Sequence, residues 1–133
     1  MIKLFIGGKG SGKTKTLIEM VNNAANSSLG SVVCIEKGDK LKLDITYKAR
    51  LIDTDYYAVT DAEALYGFIA GILASNSDIT DIFVDSALKI CGNDVVPFEE
   101  MLTKLEKITK DVKLVMTASI GVDECPAGIK AYA

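Results

Sequence analysis

The chain has 133 residues, 49% hydrophobic and 25% charged, with two prolines and no low-complexity tract, which suits one folded domain over 1–133 and excludes disorder and collagen-like architecture. It holds no histidine and no tryptophan, and Arg50 is its single arginine, so a Ser-His-Asp triad and a histidine-ligated metal are excluded. The net charge of -3, with lysines scattered from Lys3 to Lys130, leaves no cationic stripe for duplex phosphates, and nucleic acid is not expected as a partner.

Ile2 to Ile6 is a short apolar run ending at Gly7-Gly8, as a strand running into a turn would. From Lys13 onward Leu17, Ile18, Val21 and Ala25 recur at helical spacing until Asn26-Ser27-Ser28. Ser31 to Glu36 predicts a second strand. In Lys37 to Ala49, Leu41, Leu43, Ile45 and Tyr47 alternate with polar residues, which predicts an exposed strand or hairpin arm. Arg50 to Asp53 predicts a third strand. Thr60-Asp61-Ala62-Glu63 reads as a capping box with Thr60 at the N-cap, opening a helix whose buried stripe is Leu65, Phe68, Ile69 and Ile72.

Ile79 to Asp85 predicts a buried strand, Pro97 opens a helix with Phe98, Met101, Leu102, Leu105 and Ile108 on one face, and Val112 to Ser119 predicts a fifth strand. Strands alternating with helices imply right-handed crossovers, hence a three-layer α/β/α sandwich on a mostly parallel sheet of about five strands. A ligand on such a sheet sits at the C-terminal edge of the strands.

Cys34, Cys91 and Cys125 are odd in number and lack any C-x-x-C, which fits reduced thiols and a cytoplasmic setting. The longest uncharged run, Ala64 to Ser77, contains Gly67, Gly71, Ser75 and Asn76 and falls short of the roughly 20 apolar residues of a membrane span. Met1 to Ile6 carries Lys3 and does not read as a signal peptide. Neither membrane insertion nor export is expected.

Gly7-Gly8-Lys9-Gly10-Ser11-Gly12-Lys13-Thr14 fits the pattern G-x-x-x-x-G-K-[ST] between a strand and a helix. Glycines at 7, 10 and 12 let successive backbone N–H groups point inward as an anion nest at a helix N-terminus, suited to a triphosphate. The expected ligand-binding set is Gly8, Lys9, Gly10, Ser11, Gly12, Lys13, Thr14 and Lys15. Lys13 would meet the β and γ phosphates, and the Thr14 hydroxyl would ligate the Mg²⁺ that bridges their oxygens.

In these residues the chain resembles the P-loop nucleoside triphosphatases, most of all small bacterial P-loop proteins labelled twitching-motility ATPases. The resemblance implies Mg·ATP as ligand and Asp85, closing Ile82-Phe83-Val84, as the second support of the metal. Glu36 corresponds to the water-orienting glutamate of the RecA-like branch, which with Lys13 makes up the expected catalytic pair; Asp53 and Asp55 are further candidates. Ser86 stands where many such ATPases carry a glutamate, and Arg50 begins a strand, at the wrong edge for an arginine finger, so hydrolysis is expected to be slow or to depend on a protein partner or a homo-oligomer.

The missing N-K-x-D favours ATP over GTP. Thr117 or Ser119 would sense the γ-phosphate. Cys125-Pro126 would lie near the adenine edge, with Tyr132 or Ile129 packing the base. Two strand orders remain open, a kinase-like one with the Asp85 strand beside the first strand and a RecA-like one without that contact. Two alternative functions also remain, a nucleotide-sensing module that changes the Lys37 to Tyr57 segment without turnover, and a small-molecule kinase using Asp53 or Asp55 as base.

Overall fold

The computed structural model describes residues 1–133, and each strand predicted from an apolar run forms. The elements are β1 (Ile2–Gly7), α1 (Lys13–Ser27), β2 (Ser31–Glu36), β3 (Arg50–Asp53), α2 (Ala62–Ser75), β4 (Ile79–Val84), α3 (Ala87–Ile90), α4 (Val95–Ile108), β5 (Lys113–Ser119) and α5 (Ala127–Lys130). All four strand pairings are parallel, and the sheet runs β1-β5-β4-β2-β3. β5 therefore lies between β1 and β4, and the Asp85 strand does not touch the first strand.

Alternate strand residues sort onto opposite faces, as the two-residue period of a strand requires. Val32, Cys34, Phe83 and Val115 meet Leu17 and Val21 of α1. Val33, Ile35, Ile82, Val84, Leu114 and Met116 join the larger cluster with Leu65 and Ile69 of α2, Phe98 and Leu102 of α4, and Ile129. Three layers result, the expected α/β/α sandwich, with one face covered by α1 and the other by α2 to α5. No helix is long and apolar enough to cross a membrane.

Residues 37–49 do not form the expected strand or hairpin arm; they make successive turns. Asp44 and Ile45 donate their N–H groups to the Leu41 carbonyl at 2.9 and 3.1 Å. Asn22 of α1 then clamps the segment, donating to the Asp44 carbonyl and accepting from the Thr46 N–H, both at 2.9 Å. With its backbone groups satisfied locally the segment needs no strand partner, and of its alternating residues Leu41 is buried while Leu43 and Tyr47 are exposed.

Two helix starts also differ from expectation. The N-cap of α2 is Asp61, not Thr60, its Oδ1 accepting from the Ala64 N–H at 2.8 Å. α4 begins at Val95, and Pro97 sits within its first turn, where the backbone N–H has no partner inside the helix.

The tail departs furthest from expectation. β1 is an edge strand, and its Leu4 N–H donates to the Tyr132 carbonyl at 2.9 Å. Ile129 is fully buried and Cys125 nearly so, both in the larger core cluster, with Tyr132 packed against it. Cys125, Ile129 and Tyr132 thus do not form an adenine pocket; they cover the sheet edge, which would otherwise present unpaired backbone groups. At Gly128 the chain runs so close to α4 that a Cβ would stand 2.6 Å from the Glu99 carboxyl.

Candidate functional site

Between the end of β1 and the start of α1, Gly10 and Gly12 adopt φ of +84° and +86°, a left-handed conformation that side chains resist and glycine accepts. The turn closes with a Ser11 N–H to Gly8 carbonyl bond at 3.3 Å and the first helical bond, Thr16 N–H to Gly12 carbonyl, at 3.2 Å. Lys13 folds back over the loop, its Nζ donating to the Gly8 carbonyl at 2.9 Å and to Ser11 Oγ at 3.2 Å.

The strand ends complete the floor. Asp85 follows β4, and its N–H donates to the Ile35 carbonyl at 2.9 Å, so the carboxylate is fixed by an extension of the β2–β4 ladder. Asp85 Oδ1 accepts from Thr14 Oγ1 at 3.1 Å and from Thr117 Oγ1 at 2.8 Å. Thr117 also accepts from the Ser86 N–H at 2.7 Å, a bond that holds Ser86 at φ +56°. A non-glycine residue at positive φ costs of order 1–3 kcal/mol and persists where its surroundings fix it. Three elements thus meet on one carboxylate oxygen.

These groups face a cleft of about 700 Å³ at the C-terminal edge of the sheet, where ligands of parallel sheets bind. Of the expected set, Lys9, Gly10, Ser11, Gly12, Lys13, Thr14 and Lys15 line it, as do Asp85, Thr117 and Ser119. Gly8 contributes its carbonyl to Lys13 instead. Thr117 has its hydroxyl committed to Asp85 and Ser86, whereas Ser119 is exposed.

Thr14 and Asp85 offer a hydroxyl and a carboxylate in hydrogen-bond contact, a hard oxygen pair that fits a small divalent cation. No cluster of three or more acidic, cysteine or histidine ligands exists. Such a pair suits Mg²⁺, which keeps several waters and binds through one or two protein oxygens plus substrate phosphates, better than a cation that needs a full protein cage.

Glu36 is not brought to the cleft. It is 2% exposed at the end of β2, and its Oε1 and Oε2 accept from the Leu41 N–H at 3.3 and 3.1 Å. Burial pushes its carboxyl above the ordinary 4.5, against the opposing pull of the Leu41 and Lys40 backbone N–H groups. The residues that this carboxylate holds, Lys40 and Leu41, do line the cleft.

Asp53 and Asp55 lie away from it as well. Asp53 Oδ1 accepts from the Gly38 and Asp55 N–H groups, both at 2.8 Å, and Asp55 pairs with Lys37 at 2.7 Å in an exposed ion pair. Asp81 belongs to the opposite end of β4, where it accepts from Thr80. Arg50 begins the parallel β3, far from the C-terminal edge. Cys34 and Cys91 are buried, and burial pushes their thiols up to about 12, so neither is a nucleophile.

Lys40, Lys89 and Asn93 also line the cleft and are not singled out by sequence reasoning. Lys40 lies in the segment expected to be a strand, and Lys89 in α3, a single turn too short to announce itself by periodicity. A scan of protein-family models finds no match to this chain, and a search of curated proteins finds no relative.

Proposed function

We propose that this chain binds Mg·ATP in the cleft at the head of α1 and hydrolyses it slowly or only with a protein partner. The observation that carries the reading is the Thr14–Asp85 hydrogen bond of 3.1 Å beneath a loop whose Gly10 and Gly12 are left-handed. It joins the hydroxyl at the end of a glycine-rich loop to the carboxylate that follows β4, the next strand but one from β1, a pair of oxygens suited to a phosphate-bound magnesium. The insertion of β5 between β1 and β4 supports the RecA-like order over the kinase-like one.

In this reading backbone N–H groups of residues 8–14, apart from that of Ser11, which is bonded to the Gly8 carbonyl, would take the phosphate oxygens, and Lys13 would exchange its bonds to Gly8 and Ser11 for the phosphates. Thr14 and Asp85 would hold the Mg²⁺, which supplies charge neutralisation on the phosphates when bound. Asp85 is the one carboxylate lining the cleft, and it already accepts hydrogen bonds from the hydroxyls of Thr14, Thr117 and Ser86, so no free general base faces a ligand there. Without a base or an arginine in the cleft, turnover on the order of 10⁻⁴ s⁻¹ or below is expected, the rate of a phosphate-binding loop working with no arginine finger.

The sensing alternative is favoured by one observation: Lys40 and Leu41 bring the 37–57 segment to the cleft wall. Phosphate release from Mg·ATP separates the two readings. Slow release that Lys13→Ala abolishes is the expected result; Lys13-dependent binding without any release would favour the sensing module, and neither binding nor release would overturn both.

A further inference from the structure

Leu41 is the one hydrophobic residue among the fifteen that line the cleft, and none of them is aromatic. Five are lysines: Lys9, Lys13 and Lys15 on the loop side, Lys40 after β2 and Lys89 in α3. The lining thus carries five cations against one carboxylate, Asp85, in a chain whose net charge is -3. The tail residues that could have packed a base are consumed in the core and at the β1 edge.

Recognition of a nucleobase draws on a stacking surface or on edge-reading hydrogen bonds. Leu41 supplies at most a contact with a base face or with ribose, and Asn93 is the only side-chain amide available to a base edge. Phosphate recognition is richly provided, with lysines of the loop, of the segment after β2 and of α3 all lining the cleft.

Resting on the reading proposed above, we infer that the cleft selects its ligand by the polyphosphate chain and not by the base, so that its substrate class is nucleoside triphosphates at large. Lys40 and Lys89 are the specificity-determining cations: set on elements separate from the glycine loop, they extend the cationic lining beyond it and reward a long phosphate chain. Asn93 is the one amide in the wall.

Competition against a fluorescent ATP analogue, in magnesium buffer with the full chain, tests this. ATP, GTP, CTP, UTP and inorganic tripolyphosphate are expected to displace it with inhibition constants within about tenfold of one another, while adenosine does not compete. Lys40→Gln and Lys89→Gln should weaken every triphosphate by the same factor. A preference for ATP beyond about tenfold, or displacement by adenosine, overturns the inference and leaves triphosphate binding intact. Failure of the analogue and of all five competitors, tested directly by calorimetry, to bind would overturn the nucleotide reading itself, and the inference with it.

Discussion

Glu36 lies behind the cleft wall, buried at the end of β2. Its buried carboxylate spans the end of β2 and the Leu41 N–H, so Lys40 and Leu41 are turned into the cleft by a charge that never reaches it. Because burial raises the folded carboxyl above 4.5, the native state binds more protons than the unfolded chain between 4.5 and that raised value. The stability contribution is full below 4.5 and is lost as pH rises through the folded value. Urea midpoints taken from pH 4.5 to neutrality should therefore fall more steeply for the wild type than for Glu36→Gln; parallel curves would contradict the assignment.

Among the secondary elements, the tail is the clearest case of a structural role where a binding role was expected. Ile129 sits at 0% exposure, and Tyr132 satisfies the outer N–H of Leu4. Ile129→Ala should cost about 2–5 kcal/mol in chemical denaturation and, by loosening the cover of β1, raise light scattering on storage. An unchanged midpoint would show that the tail is dispensable.

The legible elements are those whose burial follows their period. The strands announce themselves because Val32/Val33 and Ile82/Phe83 serve opposite faces, and α1 because Leu17 and Val21 lie one turn apart. The 37–49 turns were illegible for the converse reason: their alternation of Leu41, Leu43 and Tyr47 is not matched by burial, and Asn22, which clamps them, stands a helix and a strand earlier in the chain. The candidate site was legible in its loop, where glycine positions and Lys13-Thr14 are contiguous. Lys40 and Lys89 were not, because only the sheet order brings their turns to the same edge.

Over the whole molecule, the arrangement concentrates opposite tendencies. A chain of net negative charge gathers five lysines around one cleft, and a parallel sheet with β5 between β1 and β4 carries Thr117 to the point where it ties Asp85 to Ser86. The result is a fixed hydroxyl–carboxylate floor under a cationic wall, a shape suited to a polyphosphate with a divalent cation. The most direct measurement is calorimetric titration of Mg·ATP into the wild type and Lys13→Ala, each with magnesium and with excess chelator. Saturable binding that weakens by at least about tenfold on loss of either the lysine ammonium or the cation is the predicted result. Equal affinity in all four titrations, or no binding in any, would contradict a magnesium-nucleotide site at Gly8 to Thr14.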